Sequence, residues 1–173
     1  MNSRIWLEAG NRHYVETSDA APREELAENG QHPRAIVLCC SDSRVIPEQI
    51  FSAGIGELFV IRVAGNVLDD HQLGSVEYAA DHLGCWYILV LGHTGCGAVA
   101  AALEGSGEGF IRSITDVIRA AVGTERDPDR ACRLNVEYAV ERLKKEFYAH
   151  PEIGETVIEG AVCDIRSGAV RWL

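Results

Sequence analysis

The chain has 173 residues with 16 Lys and Arg against 26 Asp and Glu, a formal net charge of −10, and 47% of its residues in the AVILMFWYC set. That length suits one domain with a real core, spanning residues 1–173, and the composition is globular rather than disordered. No Lys/Arg cluster interrupts the acidic background, so nucleic acid and anionic membrane surfaces are excluded as partners.

No run approaches the ~18 apolar residues of a membrane span, and the opening residues lack the apolar stretch of a signal peptide, so a cytoplasmic location is expected. In that compartment the six cysteines, at 39, 40, 85, 96, 132 and 163, serve as packing residues or metal ligands rather than disulfide partners.

In chain order the first strong signal is "RAIVLCC" (34–40), a nearly continuous apolar run of the kind a strand covered on both faces requires. "ELFVIRV" (57–63) and "CWYILVLG" (85–92) have the same character, and "TVIEGAVCD" (156–164) is a fourth strand candidate. Between the second and third runs, residues 74–84 place Val76, Ala79, Ala80 and Leu83 at helical spacing, with Ser75 as a candidate cap and Gly84 as the stop. Helices are also expected over 97–105, over 111–123, where Ile111, Ile114, Ile118 and Val122 form a stripe, and from Asp127-Pro128 onward. Arg166-Ser167-Gly168 reads as the turn of a terminal hairpin. Alternating strands and helices imply an α/β fold with a mainly parallel sheet and helices on both faces.

Ligands of such sheets bind beyond the carboxyl ends of the strands. Two loops leave those ends rich in chemistry: Cys40-Ser41-Asp42-Ser43-Arg44 after the first run, and His93-Thr94-Gly95-Cys96 after the third. Together Cys40, His93 and Cys96 make a soft set of two thiolates and one imidazole, suited to zinc, and three protein ligands leave a fourth position for water or a carboxylate. Cys96 stands where a helix begins, so free N–H groups there would favour its thiolate. Cys39 and Cys40 point to opposite faces of an extended run, so only one can be a ligand; the spacing from Asp42 and Arg44 selects Cys40 and leaves Cys39 to packing. Cys85 and Cys163 are expected in the core. No G-x-G-x-x-G follows the first run, which disfavours a dinucleotide binder.

These two loops, with "CSDSRVIPEQIF", "GELFVIRVAGN", "GSVEYAADHLG" and "VLGHTGCGAV" around them, resemble the β-class carbonic anhydrases, whose signatures are C-x-D-x-R and H-x-x-C. The resemblance implies one zinc ion per chain on Cys40, His93 and Cys96, and reversible hydration of carbon dioxide to bicarbonate and a proton by attack of zinc-bound hydroxide. It implies that Asp42 orients that hydroxide and that Arg44 holds Asp42 off the metal, whereas in a closed form seen in some members the aspartate takes the water's place. It places Gln31, Phe59, Ala64, Tyr78 and Gly97 in the substrate pocket, as in plant-type members. It also implies four parallel strands with an antiparallel edge strand, an N-terminal helix from Ser3 to about Val15 that packs on a partner subunit, and a homodimer or tetramer with the active site at the subunit interface. Val63 departs from the Asn often found in the family's "RNAGN" stretch. The same zinc site could instead hydrolyse carbon disulfide or carbonyl sulfide, or be purely structural; retention of Asp42, Arg44 and the pocket residues argues against the last. His71, Asp69, Asp70 and His82 lie near the expected rim without an assigned role in proton export.

Overall fold

The computed structural model describes residues 2–148 and 156–173, in two compact units, 1–31 and 32–173. The first unit consists of α1 (Ser3–Thr17) and α2 (Ala21–Asn29). Asn2 starts α1 by accepting a hydrogen bond from the Arg4 N–H (2.9 Å), and the Arg23 guanidinium lies 5.0 Å from the Tyr14 ring centre, joining the two helices. No residue of α1 is buried, and Ile5, Trp6, Leu7 and Val15 are all exposed.

The second unit is built on a five-stranded sheet of order β2-β1-β3-β4-β5, from β1 (Ala35–Cys39), β2 (Leu58–Arg62), β3 (Tyr87–His93), β4 (Val157–Cys163) and β5 (Val170–Trp172). The first four strands are parallel and β5 is the antiparallel edge, as expected from sequence. Its helices are α3 (Pro47–Ile50), α4 (Asp70–Leu83), α5 (Gly97–Leu103), α6 (Ile111–Val122) and α7 (Pro128–Tyr148).

Alternation along the strands divides the core. Ile36, Leu38, Ile88, Val90 and Ile158 face one way and meet Val76, Ala79 and Ala80 of α4 and Val136, Ala139, Val140 and Leu143 of α7. Val37, Cys39, Leu89, Leu91, Ala161 and Cys163 face the other way, against Val45 and the α3 region. Each fully buried Ile or Leu contributes about 1.5–3 kcal/mol relative to exposure, so this sheet dominates the stability of the unit. A third cluster, around Cys40, Cys96, Val99, Ile118 and Cys132, sits where α5, α6 and α7 converge beyond the strand ends.

Several helix boundaries follow local chemistry. α4 starts at Asp70, earlier than the spacing of its apolar stripe suggested. Asp69 accepts from the His71 N–H and Gln72 accepts from the Asp69 N–H, each at 2.8 Å, so this capping box replaces Ser75 as the start signal. Ser75 instead donates to the His71 carbonyl. Gly84 ends the helix in the left-handed conformation, φ 63°, as expected. α7 begins at Pro128, where the Asp127 carboxylate accepts from the Arg130 N–H (2.8 Å). The terminal turn is organised by Asp164, whose side chain accepts from the N–H groups of Arg166 and Ser167. Among the described residues no helix is long and apolar enough to cross a membrane.

Gly92, near the end of β3, lets α7 approach the sheet: a Cβ there would lie 2.4 Å from Val136 Cγ2. Gly92→Ala should therefore destabilise the protein by about 1–3 kcal/mol, measurable as a lower urea midpoint with an unchanged m-value.

Candidate metal centre

The parallel register brings the two chemical loops together. Cys39 pairs with Leu91 across β1 and β3, so Cys40 and His93 leave neighbouring strand ends. Gly95, at φ 65°, turns the chain back so that Cys96 falls immediately before α5. All three residues are buried, and their ligand atoms lie within 4.8 Å of one another. The sulfur atoms of Cys40 and Cys96 are 4.0 Å apart. Two sulfurs on a tetrahedral zinc with bonds of about 2.3 Å are spaced by about 3.8 Å, so the thiols already stand near a ligand separation.

The imidazole is similarly prepared. His93 Nδ1 is 2.9 Å from the Thr94 carbonyl, an acceptor only, so Nδ1 carries the proton and the neutral ring presents its lone pair at Nε2. Nε2 is buried without a hydrogen-bond partner in the protein. A buried nitrogen lone pair beside two sulfurs is a costly arrangement for a protein without a metal, and it fits a soft divalent ion such as zinc. Thr94 is held in turn, its N–H donating to the Cys163 carbonyl (3.0 Å) and its hydroxyl accepting from the Ile165 N–H (3.2 Å).

Electrostatics separates the six free thiols. Burial pushes Cys39 up to about 12 and Cys132 up to about 11, and also raises Cys85 and Cys163, so these four are neutral packing groups. Cys40 alone moves down, chiefly because it accepts hydrogen bonds from the Cys96 thiol and from the Gly65 N–H, which lies 3.2 Å from its sulfur. Cys96 moves up through the same bond to Cys40 and through burial, although the Val99 and Ala98 N–H groups pull the other way. The N–H groups at the start of α5 thus favour the charged form of Cys96 as expected, while its bond to Cys40 opposes it, and the proton shared by the two sulfurs would leave when a metal binds.

Beside the donors, Asp42 is clamped by Arg44. The guanidinium donates through Nε to Oδ1 (2.9 Å) and through a terminal nitrogen to Oδ2 (2.7 Å), and the Arg44 N–H adds a third bond to Oδ1 (2.9 Å). Arg44 also reaches the Gly95 carbonyl (3.3 Å), tying the two loops together. This fork holds the Asp42 carboxyl well below the usual carboxylate range. Asp42 Oδ2 lies 3.9 Å from His93 Nε2, so the carboxylate borders the space that the three ligand atoms face.

Three positioning residues escaped the reading of the sequence. Arg62, at the end of β2, donates to the carbonyls of Cys40 (3.3 Å), Asp42 (2.8 Å) and Val45 (2.9 Å), and so fixes the backbone of the Cys40–Val45 loop. Its signal was a lone charge ending an apolar run. Gly65 supplies the N–H to Cys40 at φ 69°, and Asn135 of α7 holds the Gly65 carbonyl (2.8 Å). Asn135 was visible as a polar residue between Ala131 and Ala139 on a buried helix stripe.

The remaining sequence candidates are dispersed. Ala64 is next to Gly65 and half-buried, and Gly97 opens α5 beside Cys96. Phe59 and Tyr78 meet each other, with ring centres 6.3 Å apart, and Phe59 packs on the sheet-and-α4 cluster rather than on the cluster containing Cys40 and Cys96. Gln31 ends the first unit. Asp69 caps α4, and Tyr78 also lies 5.1 Å from the His82 ring.

Comparison with known proteins agrees with this geometry. Residues 35–170 match the family model described as carbonic anhydrase. Carbonic anhydrase 2 of Mycobacterium tuberculosis is 38% identical over 126 residues, which cover 67% of this chain and 61% of that protein; the chain thus spans about three fifths of this relative's length. Among solved structures, the β-carbonic anhydrase CafA of Aspergillus fumigatus superposes with a TM-score of 0.85 at 26% identity, covering 99% of this chain and 91% of that one. Coccomyxa β-carbonic anhydrase, solved with acetazolamide, gives a TM-score of 0.75 at 30% identity, covering 98% and 85%. The chain belongs to the β-class carbonic anhydrase family.

Replacing Arg62 with Ala removes the donor shared by three loop carbonyls. Because the side chain is partly exposed, the expected cost is about 1–2 kcal/mol, read as a lower denaturation midpoint.

Proposed function

We propose that this protein is a zinc-dependent carbonic anhydrase that interconverts carbon dioxide with bicarbonate and a proton. The observation that carries the reading is the convergence of Cys40, His93 and Cys96, with the lone pair of His93 Nε2 buried and unpartnered, beside an aspartate clamped by an arginine. Zinc held by those three residues would act as a Lewis acid and lower the pKa of water at its open position.

The chain's own groups would do the rest. The Thr94 carbonyl fixes the His93 tautomer, and the Gly65 N–H and the bond from Asn135 hold Cys40 in place. Asp42, kept anionic by Arg44, can only accept hydrogen bonds. A water or hydroxide between Asp42 Oδ2 and the His93 edge must therefore turn a hydrogen toward the carboxylate, which leaves an oxygen lone pair free to meet the carbon of the substrate. The pairing of Asp42 with Arg44 supports the open arrangement, in which the carboxylate stays off the metal.

Carbon dioxide, small and apolar, calls for a narrow apolar slot with a donor for the developing bicarbonate oxygen. Gln31, Phe59, Ala64, Tyr78 and Gly97 are the proposed lining. Phe59 packs on a cluster separate from Cys40, and Tyr78, exposed, lies against Phe59, so we propose that the slot is completed by a second copy of the chain, in a homodimer or tetramer with the active site at the interface. The exposed apolar residues of α1 suit such an assembly. Six free thiols suit a reducing cytoplasm.

Stopped-flow hydration of carbon dioxide, with zinc measured in the same sample, tests the reading. Turnover at about one zinc per chain supports it, and full zinc without turnover at neutral and alkaline pH refutes it. Cys96→Ser should lose zinc and turnover together. Asp42→Asn should keep zinc and lose about a hundredfold in kcat/KM, within the range usual for a group that orients or relays a proton.

A further inference from the structure

Three helices converge on a single residue behind the metal ligands. Gly65 sits at φ 69° and ψ 17°, and a Cβ on it would meet Ile118 Cδ1 of α6 at 2.8 Å and Ala98 Cβ of α5 at 3.0 Å. From α7, Asn135 Nδ2 donates to the Gly65 carbonyl at 2.8 Å. The N–H of the same glycine points to Cys40 Sγ at 3.2 Å. Asn135 is itself 2% exposed, so this donor has no water to compete with. Its partner carbonyl belongs to a left-handed residue whose orientation neither a strand nor a helix fixes, since Ala64–Asn66 is a single 3-10 turn between β2 and α4.

We propose that Asn135 is a positioning residue for the metal centre: by fixing the Gly65 carbonyl it aims the Gly65 N–H at Cys40 Sγ, and so sets how strongly that sulfur donates to the metal. The inference rests on the zinc reading above, and it concerns a residue 39 positions beyond the last ligand, with no contact to the metal or the substrate. An N–H bond to a ligating sulfur draws on its lone pair. Without Asn135 the turn keeps its Asn66 N–H bond to the Val63 carbonyl but loses its anchor to α7; the N–H moves off the sulfur, whose lone pair rises in energy, and the sulfur is no longer held at the ligand position, a loss that outweighs its stronger donation. Groups that orient metal ligands in this way commonly change metal affinity by 10–100-fold when removed.

The test uses cobalt(II) and zinc(II) as probes on the full chain. In the cobalt-loaded protein the sulfur-to-metal charge-transfer band should shift to lower energy in Asn135→Ala, and chelator competition should show zinc held about tenfold or more less tightly. Arg142→Ala is the control, because Arg142 on the same helix also donates to a backbone carbonyl, that of Leu68 (2.6 Å), but has no link to Cys40. It should leave band and affinity unchanged. Asn135→Leu, nearly the same size but without a donor, should reproduce the alanine result and serves if the alanine variant does not fold. A band and affinity in the Asn135 variants within about twofold of the parent, or equal shifts in Arg142→Ala, would overturn the proposal while leaving the zinc reading intact. A parent protein that takes up neither metal stoichiometrically would overturn both.

Discussion

The parallel pairing of β1 with β3 is the constraint on which the candidate site depends. Cys40 and His93 are far apart in sequence, and neither loop has a reason of its own to approach the other. The register Cys39↔Leu91 places both strand ends at the same height, and a slip of one residue would turn each side chain to the opposite face of the sheet. What prevents the slip is the alternation of Ile36 and Leu38 against Val37 and Cys39, each set buried in its own cluster. The hydrophobic core thus sets the height at which the candidate metal donors stand, and Gly92 permits α7 to press close there.

A convergence of donors is unfavourable by itself. Two sulfurs 4.0 Å apart and an unpartnered imidazole nitrogen in a buried site offset part of what the core contributes. The surrounding framework answers with hydrogen bonds aimed at backbone as much as at side chains. Arg62 holds three carbonyls of one loop, Arg44 bridges from Asp42 to the Gly95 carbonyl of the other, and Asn135 holds the turn between β2 and α4. Each places a donor on a group that neither strand nor helix satisfies. The candidate site is therefore a set of loops braced from outside by hydrogen bonds to their backbone.

Most of the sheet was legible in the amino-acid sequence because buried parallel strands are apolar runs, and four such runs occur at sensible spacing. The convergence of Cys40, His93 and Cys96 was legible because C-x-D-x-R and H-x-x-C crowd rare chemistry into strand-end loops. Helix starts were less so: Asp69 with Gln72 competes with Ser75 as a start signal, and only the capping geometry decides between them. α2 and α3, short and weakly patterned, gave no periodicity to read. The positioning residues were obscure for a different reason. Arg62 and Asn135 act on backbone carbonyls, 22 residues from Cys40 and 70 from Gly65 respectively, and no local spacing encodes such partners.

Charge makes the same framework necessary in another way. Two thiolates neutralise a divalent ion, so a centre built on Cys40, Cys96 and His93 has less positive field to offer an anion than one built on imidazoles alone. The chain as a whole, at −10, adds to the negative potential around it. Positive character must come from groups arranged around the ligands, and the structure supplies it there: the Gly65 N–H on Cys40, the Arg44 guanidinium against Asp42, and Arg62 across the carbonyls of the first loop. The Gly65 N–H draws directly on the Cys40 sulfur, while the two guanidinium groups place positive charge beside it, so the residues that hold the loops in place also moderate the charge that the thiolates bring.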